Sequence, residues 1–245
     1  MRHELKIIAS QLLGHKSHLN PEKTQLIDFA CERLNMTSFA DLGGVWNVDG
    51  GYSFYAMEHH AIKMGVLVDT DFTTAVLARQ KKNPRLKIIH GNFGDPSVPE
   101  RIGKVDGAFF FDTLLHQVNP NWDAVLQMYA GVARIFLIFN QQFVNLSSTT
   151  RLLDLGLDEY ARNVPHSIDQ EPYKTYLRDL DAIHPIHKRP YRDIHNIWQW
   201  GIIDSDLIAR MNSMGFTMQF YKNCGQFGQL RNVENHAFAF SKLEL

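Results

Sequence analysis

Between Ser38 and Phe139 five short apolar runs alternate with four helix-like segments, and this rhythm limits the possible folds more than any other feature of the chain. The runs are Ser38–Leu42, Gly65–Val68, Leu86–Ile89, Gly107–Phe111 and Arg134–Phe139. The intervening segments, Ser53–Met64, Phe72–Lys82, Pro96–Ile102 and Asn121–Ala130, carry helical patterning. Strand and helix in regular succession predict right-handed crossovers and a parallel sheet. The runs are apolar throughout, without the every-second-residue alternation of a half-exposed strand, as expected when helices cover both faces. The expected class is therefore α/β with a mostly parallel sheet.

The flanks differ. Residues 4–13 and 21–35 read as amphipathic helices; Asn20 can cap the second and Pro21 suits its first position. Residues 147–200 break the alternation and are rich in His, Tyr, Pro and Arg. A helix over Asp204–Met214, stopped by Gly215, leads to two more strands, Phe216–Lys222 and His236–Ser241. These read as an antiparallel pair at the sheet edge and bring the expected count to seven. The whole chain, 1–245, reads as one domain, with residues 1–37 and 147–200 forming a cap. In an open α/β sheet a ligand lies outside the carboxyl ends of the strands, where such a cap would close.

Composition excludes some classes of function. The formal net charge of -1 offers no electrostatic footprint for nucleic acid or an anionic membrane. Cys31 and Cys224 stand in no metal or redox spacing, so a reducing compartment is expected. No run approaches the length of a membrane span and the N-terminus does not read as a signal peptide, which makes the expected location cytoplasmic.

The strand tips carry the chemistry. The first run ends in FADLGG, with Asp41 before Gly43 and Gly44. Glycines there let the backbone turn and let a ligand touch it. The next helix presents free N–H groups to the same crevice. Phosphate fits poorly. No lysine follows the glycines, the G-x-G-x-x-G spacing is missing, and Asp41 would repel a pyrophosphate. A carboxylate suits an ammonium or sulfonium group instead. Asp69, in VLVDTD, can accept two neighbouring ribose hydroxyls. Asn92, in GNFGD, can read an adenine edge, and Phe93 can lie on its face. The fourth run, FFFDTLLHQV, sets Asp112 and His116 at the crevice mouth.

Together FADLGG, VLVDTD, GNFGD and FFFDTLLHQV resemble the motifs of class I S-adenosylmethionine-dependent methyltransferases, over Ser38 to Phe143 and the C-terminal strands. The resemblance implies a Rossmann-like three-layer sandwich with an antiparallel C-terminal strand, and S-adenosylmethionine as co-substrate. It places Asp41, Gly43 and Gly44 at the methionine end, Asp69 and Thr70 at the ribose, Asn92 and Phe93 at the adenine, and Asp112 beside the sulfonium. The family's acid-x-G-x-G-x-G becomes D-L-G-G-V-W-N here, with Val45 and Asn47 at the later glycine positions and Gly50 and Gly51 further on.

The expected activity is methyl transfer to N or O of a small-molecule acceptor. Candidate catalytic residues are His116 as a general base, Asn140 as a neutral group orienting an amine or hydroxyl, and Tyr176 from the aromatic-rich cap, whose rings attract cations. A histidine after an apolar run is, however, more often a packed or helix-start residue. Gln141 and Gln142 follow Asn140 past the fifth run. His184, His187 and His195 lack the acids and cysteines of an ordered metal set, so no metal is expected. Two rivals remain. One consumes S-adenosylmethionine without methylation, by cyclisation to a small cyclic amino acid or by aminocarboxypropyl transfer, releasing methylthioadenosine. The other is a non-catalytic nucleotide-binding module. Oligomeric state is left open.

Overall fold

The computed structural model describes residues 18–242, so the helix expected over residues 4–13 lies outside the described residues. The strands are β1 (Ser38–Leu42), β2 (Met64–Asp69), β3 (Leu86–His90), β4 (Val105–Phe111), β5 (Ala133–Phe143), β8 (Phe216–Gln226) and β9 (Val233–Lys242), joined into one sheet of order β3-β2-β1-β4-β5-β9-β8. The short strands β6 (Thr150–Arg151) and β7 (Trp200–Gly201) pair apart from it. β1 to β5 are mutually parallel; β9 runs antiparallel to both its neighbours, β5 and β8. The last strand is thus the antiparallel one, and it inserts inside the edge strand β8.

The apolar runs explain the layers. Successive residues of β4 and β5 point to opposite faces. Ala108, Phe110, Phe136 and Ile138 enter one core, with helices Ser97–Ile102, Trp122–Tyr129 and Asp204–Ser213. Phe109, Phe111, Ile135, Leu137 and Phe139 enter the other, with helices Pro21–Arg33, Gly51–His59 and Thr74–Lys81. Helices on both faces remove water from both sides of each strand, which is why the runs show no regular polar alternation. The helix Pro21–Arg33 begins as its sequence predicts: the Asn20 side chain accepts the Glu22 N–H at 2.8 Å, and Pro21 takes the first turn.

Several boundaries differ from expectation: β8 runs to Gln226 rather than Lys222, and β9 starts at Val233 rather than His236. The second helix covers Gly51–His59 rather than Ser53–Met64, because Met64 opens β2. β5 does not stop at Phe139. It continues through Asn140, Gln141 and Gln142 to Phe143, held by β9 in unbroken register from Ile135–Ser241 to Phe143–Val233. Those three polar residues are strand residues, 0%, 5% and 0% exposed, and do not form a rim beyond the strand.

The segment after β5 leaves and returns at one place, since Thr150 pairs with Gly201 and Arg151 with Trp200. Between them lie the short helices Leu157–Arg162 and Tyr173–Arg178 and much irregular chain. A third apolar cluster, including Leu152, Tyr160, Ile194, Ile197 and Trp198, packs onto Leu115, Phe143 and Val233. This seats the segment over the carboxyl ends of β4 and β5. No helix among the described residues is long and apolar enough to cross a membrane.

Candidate functional site

Strand order reverses direction between β1 and β4, and the tips of β1 to β4 meet beside that point. Asp41, at the end of β1, is 1% exposed and its Oδ2 accepts the Ser53 hydroxyl at 2.8 Å. Burial pushes its carboxyl up to about 7; the Ser53 hydroxyl opposes this, nearby Asp69 adds to it and Lys23 opposes it. Two glycines make the approach possible. Gly43 has φ +81°, and a Cβ there would stand 3.0 Å from Thr113 Cγ2 and 3.4 Å from Phe93 Cε1. A Cβ on Gly44 would fall 2.3 Å from Asp41 Oδ2. Any side chain would therefore close the space between the β1, β3 and β4 tips. Asn47 has φ 60°, a left-handed conformation that asparagine tolerates where the family pattern has glycine. Trp46, next to it, is 80% exposed.

Asp69 ends β2. Its Oδ2 accepts the Val45 N–H at 2.9 Å and its Oδ1 the Thr70 N–H at 2.7 Å. Oδ1 also accepts the Thr70 hydroxyl and the Asp71 N–H, both at 3.5 Å, so Oδ2, which accepts Val45, is the oxygen with room for a further hydroxyl donor. Thr70 is exposed beside it, and its carbonyl accepts from His90. Asn92 is exposed; its Oδ1 accepts the Gly94 N–H at 2.8 Å, which fixes the side chain and leaves Nδ2 as the outward donor. Phe93 is buried and edge-on to Phe110, and its carbonyl accepts the Tyr129 hydroxyl at 2.8 Å.

Asp112 follows β4 with φ 57°. It accepts Gln141 Nε2 at 2.8 Å and is ion-paired with Lys23, a residue to which nothing in the sequence draws attention. Lys23 comes from the helix Pro21–Arg33 and is buried. Its ammonium lies 4.9 Å from the ring centre of Phe139, 5.3 Å from Tyr52 and 5.9 Å from Phe111. Tyr52 is held in turn by the Asn20 N–H, 3.0 Å from its hydroxyl oxygen. The crevice therefore already contains a cation surrounded by aromatic faces and carboxylates.

His116 lies in the 3-10 turn Leu114–His116 against the 147–200 segment, where its Nδ1 donates to the Ile197 carbonyl at 3.0 Å. Burial lowers its pKa, against that carbonyl bond and Asp112. A second backbone bond, to His195, also opposes the fall. Asn140 donates through Nδ2 to the Gln141 carbonyl at 2.9 Å, while its Oδ1 has no partner. Tyr176 sits farther out. It packs with Tyr191, His184 and Tyr173 at 5.6, 5.8 and 6.1 Å between ring centres, inside the cap. His184 spends its Nδ1 on the N–H groups of Ile186 and His187, which makes it a turn residue. Among the described residues no group of three or more His, Cys, Asp or Glu could hold a metal ion.

No protein-family model matches the chain, and no curated protein matches it either. Solved structures do. Burkholderia thailandensis 1,6-didemethyltoxoflavin-N1-methyltransferase, with its substrate and S-adenosylhomocysteine bound, aligns at TM-score 0.56 and 12% identity over 91% of this chain and 79% of that one. The N-terminal domain of EvdMO1, solved in the presence of S-adenosylhomocysteine and D-fucose, aligns at TM-score 0.57 and 12% identity over 99% and 97%. The mitomycin 7-O-methyltransferase MmcR aligns at TM-score 0.52 and 12% identity over 91% of this chain and 53% of its own. The chain has the class I methyltransferase fold. Within this methyltransferase fold, Asp41, Asp69, Asn92 and Asp112 occupy four consecutive strand tips around one crevice.

Proposed function

We propose that the chain is an S-adenosylmethionine-dependent methyltransferase acting on N or O of a small molecule enclosed by the 147–200 cap. One observation carries the reading: at the point where strand order reverses, a backbone cradle that a Cβ at Gly43 or Gly44 would fill is bordered by Asp41, Phe93 and Thr113, with Asp69 and Asp112 at the ends of the neighbouring strands. A cradle of carboxylates suits a cationic ligand with a ribose, and repels a pyrophosphate. The described residues act as one unit, with the 147–200 segment as its lid.

When bound, the co-substrate supplies a methyl made electrophilic by its sulfonium. This chain's residues do the rest. Asp69 and Thr70 take the ribose hydroxyls. Asn92 donates from Nδ2 to the adenine edge, and Phe93 bounds its face. Asp41, Gly43 and Gly44 hold the amino-acid end, and Asp112 balances positive charge beside the sulfur. His116 accepts the acceptor's proton, a step worth roughly 10²–10⁴-fold. Asn140 Oδ1 orients the donor N–H or O–H, and the aromatic cap with Tyr176 keeps water out. Holding the nucleophile in line supplies most of the remaining acceleration.

Calorimetry with S-adenosylhomocysteine tests the reading. Asp69→Ala removes charge-assisted bonds worth about 1.5–3 kcal/mol each, so affinity should fall about 100-fold. Unchanged affinity in that variant would count against the cofactor assignment. Mass spectrometry of S-adenosylmethionine incubated with the protein separates the chemistries. S-adenosylhomocysteine formed only with an acceptor supports methylation; methylthioadenosine formed without one replaces it with cyclisation.

A further inference from the structure

Among the described residues, the buried side-chain atoms without a hydrogen-bond partner are Thr113 Oγ1, Asn140 Oδ1, Gln142 Nε2, Gln142 Oε1 and Arg151 Nε. Three of these side chains belong together. Asn140 and Gln142, both 0% exposed, are two residues apart on β5 and so project from the same face as Phe136 and Ile138. The Asp112 N–H bonds the Phe139 carbonyl at 2.8 Å, which brings Thr113 alongside that stretch of β5. Thr113 also borders the glycine loop, 3.0 Å from where a Gly43 Cβ would be. The fourth, Arg151, is anchored in the cap by Asp193, the Arg192 carbonyl and Gln199.

A buried amide left unpaired costs about 1–3 kcal/mol, and a leucine or methionine at position 142 would avoid that cost at similar volume. Beside these groups β5 is met by Ile202, just past the 147–200 segment, through the Gln142–Ile202 bridge and the Phe143 N–H to Ile202 carbonyl bond of 2.8 Å. We propose that Thr113, Asn140 and Gln142 form the acceptor subsite. Its ligand is a neutral planar molecule carrying a hydrogen-bond donor and acceptor side by side, as on the edge of a lactam. This rests on the methyltransferase reading and specifies its substrate class.

The chemistry of the three groups selects that class. Gln142 presents a donor and an acceptor on one fork, which pairs two-pronged with a complementary edge. Asn140 offers only its acceptor oxygen, because Nδ2 is spent on the Gln141 carbonyl. That oxygen suits the N–H or O–H to be methylated. Thr113, nearest the glycine loop, can serve as donor or acceptor. None of the three is charged, and Arg151 already faces Asp193, so these groups themselves offer a charged ligand no counter-ion in return for its lost hydration.

The test uses Gln142→Leu, with Gln142→Met as a second variant should leucine overpack. Without ligand, the variant should melt higher than wild type, and the melting shift produced by S-adenosylhomocysteine should be unchanged. Isoquinolin-1-one should bind the S-adenosylhomocysteine-loaded wild type at least tenfold more tightly than its N-methyl derivative, and the variant should lose that discrimination. A lower melting temperature in both variants would show that the amide has a structural partner in solution, and overturns the subsite. Equal or absent binding of the two probes to loaded wild type also overturns it. Both results leave methyl transfer standing if S-adenosylhomocysteine still shifts the melt; absence of that shift removes the methyltransferase reading as well.

Discussion

Asp41 shows how one buried side chain makes stability depend on pH. In the folded chain its carboxyl holds a proton up to about 7, chiefly because of burial; in the unfolded chain the proton leaves near the ordinary value of about 3.9. The native state therefore binds more protons between those limits. Its contribution is fully present below about pH 4 and is lost as pH rises towards 7, with the whole cost present above. Denaturant unfolding at pH 5 and pH 8 should show the wild type losing stability on the alkaline side, and Asp41→Asn should flatten that difference. Retention of a buried acid at such a cost fits a group that meets a positive charge when the site is filled.

At the scale of elements, Asp106 at the start of β4 joins three segments. Its carboxylate accepts the N–H groups of Thr37 and Ser38 at 2.7 and 3.0 Å and pairs with Arg134, whose guanidinium also bonds the Leu34 and Asn35 carbonyls. Burial raises its pKa, but the Thr37 and Arg134 bonds outweigh that and hold it below the usual carboxylate range. The stability it adds is present above the unfolded value and lost as pH falls through the folded one. Asp106→Ala should cost about 2–3 kcal/mol in denaturant melts at neutral pH, by freeing half-buried N–H groups at the start of β1. The elements themselves were largely legible. β1 to β4 begin and end within a residue or two of their apolar runs, because strands covered on both faces leave that signature in the chain. β5 was legible only to Phe139. Asn140, Gln141 and Gln142 resemble a strand end by composition, yet β9 pairs with them from about a hundred residues later, so local pattern could not extend the strand.

For the molecule as a whole, binding at the strand tips should be read out in global stability, because the crevice is shared by β1 to β4 and closed by Lys23 from an outer helix. At a concentration 100 times its Kd, S-adenosylhomocysteine should add about 2.7 kcal/mol. For a chain of this size that raises Tm by roughly 5–10 °C in a thermal scan. A smaller response in Asp69→Ala would tie the shift to the tip of β2. The sequence by itself determined the sheet, its parallel core and the positions of Asp41, Asp69, Asn92 and Asp112, since strand tips and turn glycines are written in short-range pattern. Only the tertiary structure decided that Lys23 would pair with Asp112, 89 residues away, that His116 would bond Ile197, 81 residues away, and that two amides of β5 would be sealed from water. Those facts follow from which surfaces meet in space, and a one-dimensional pattern carries no record of the distance between residues that far apart.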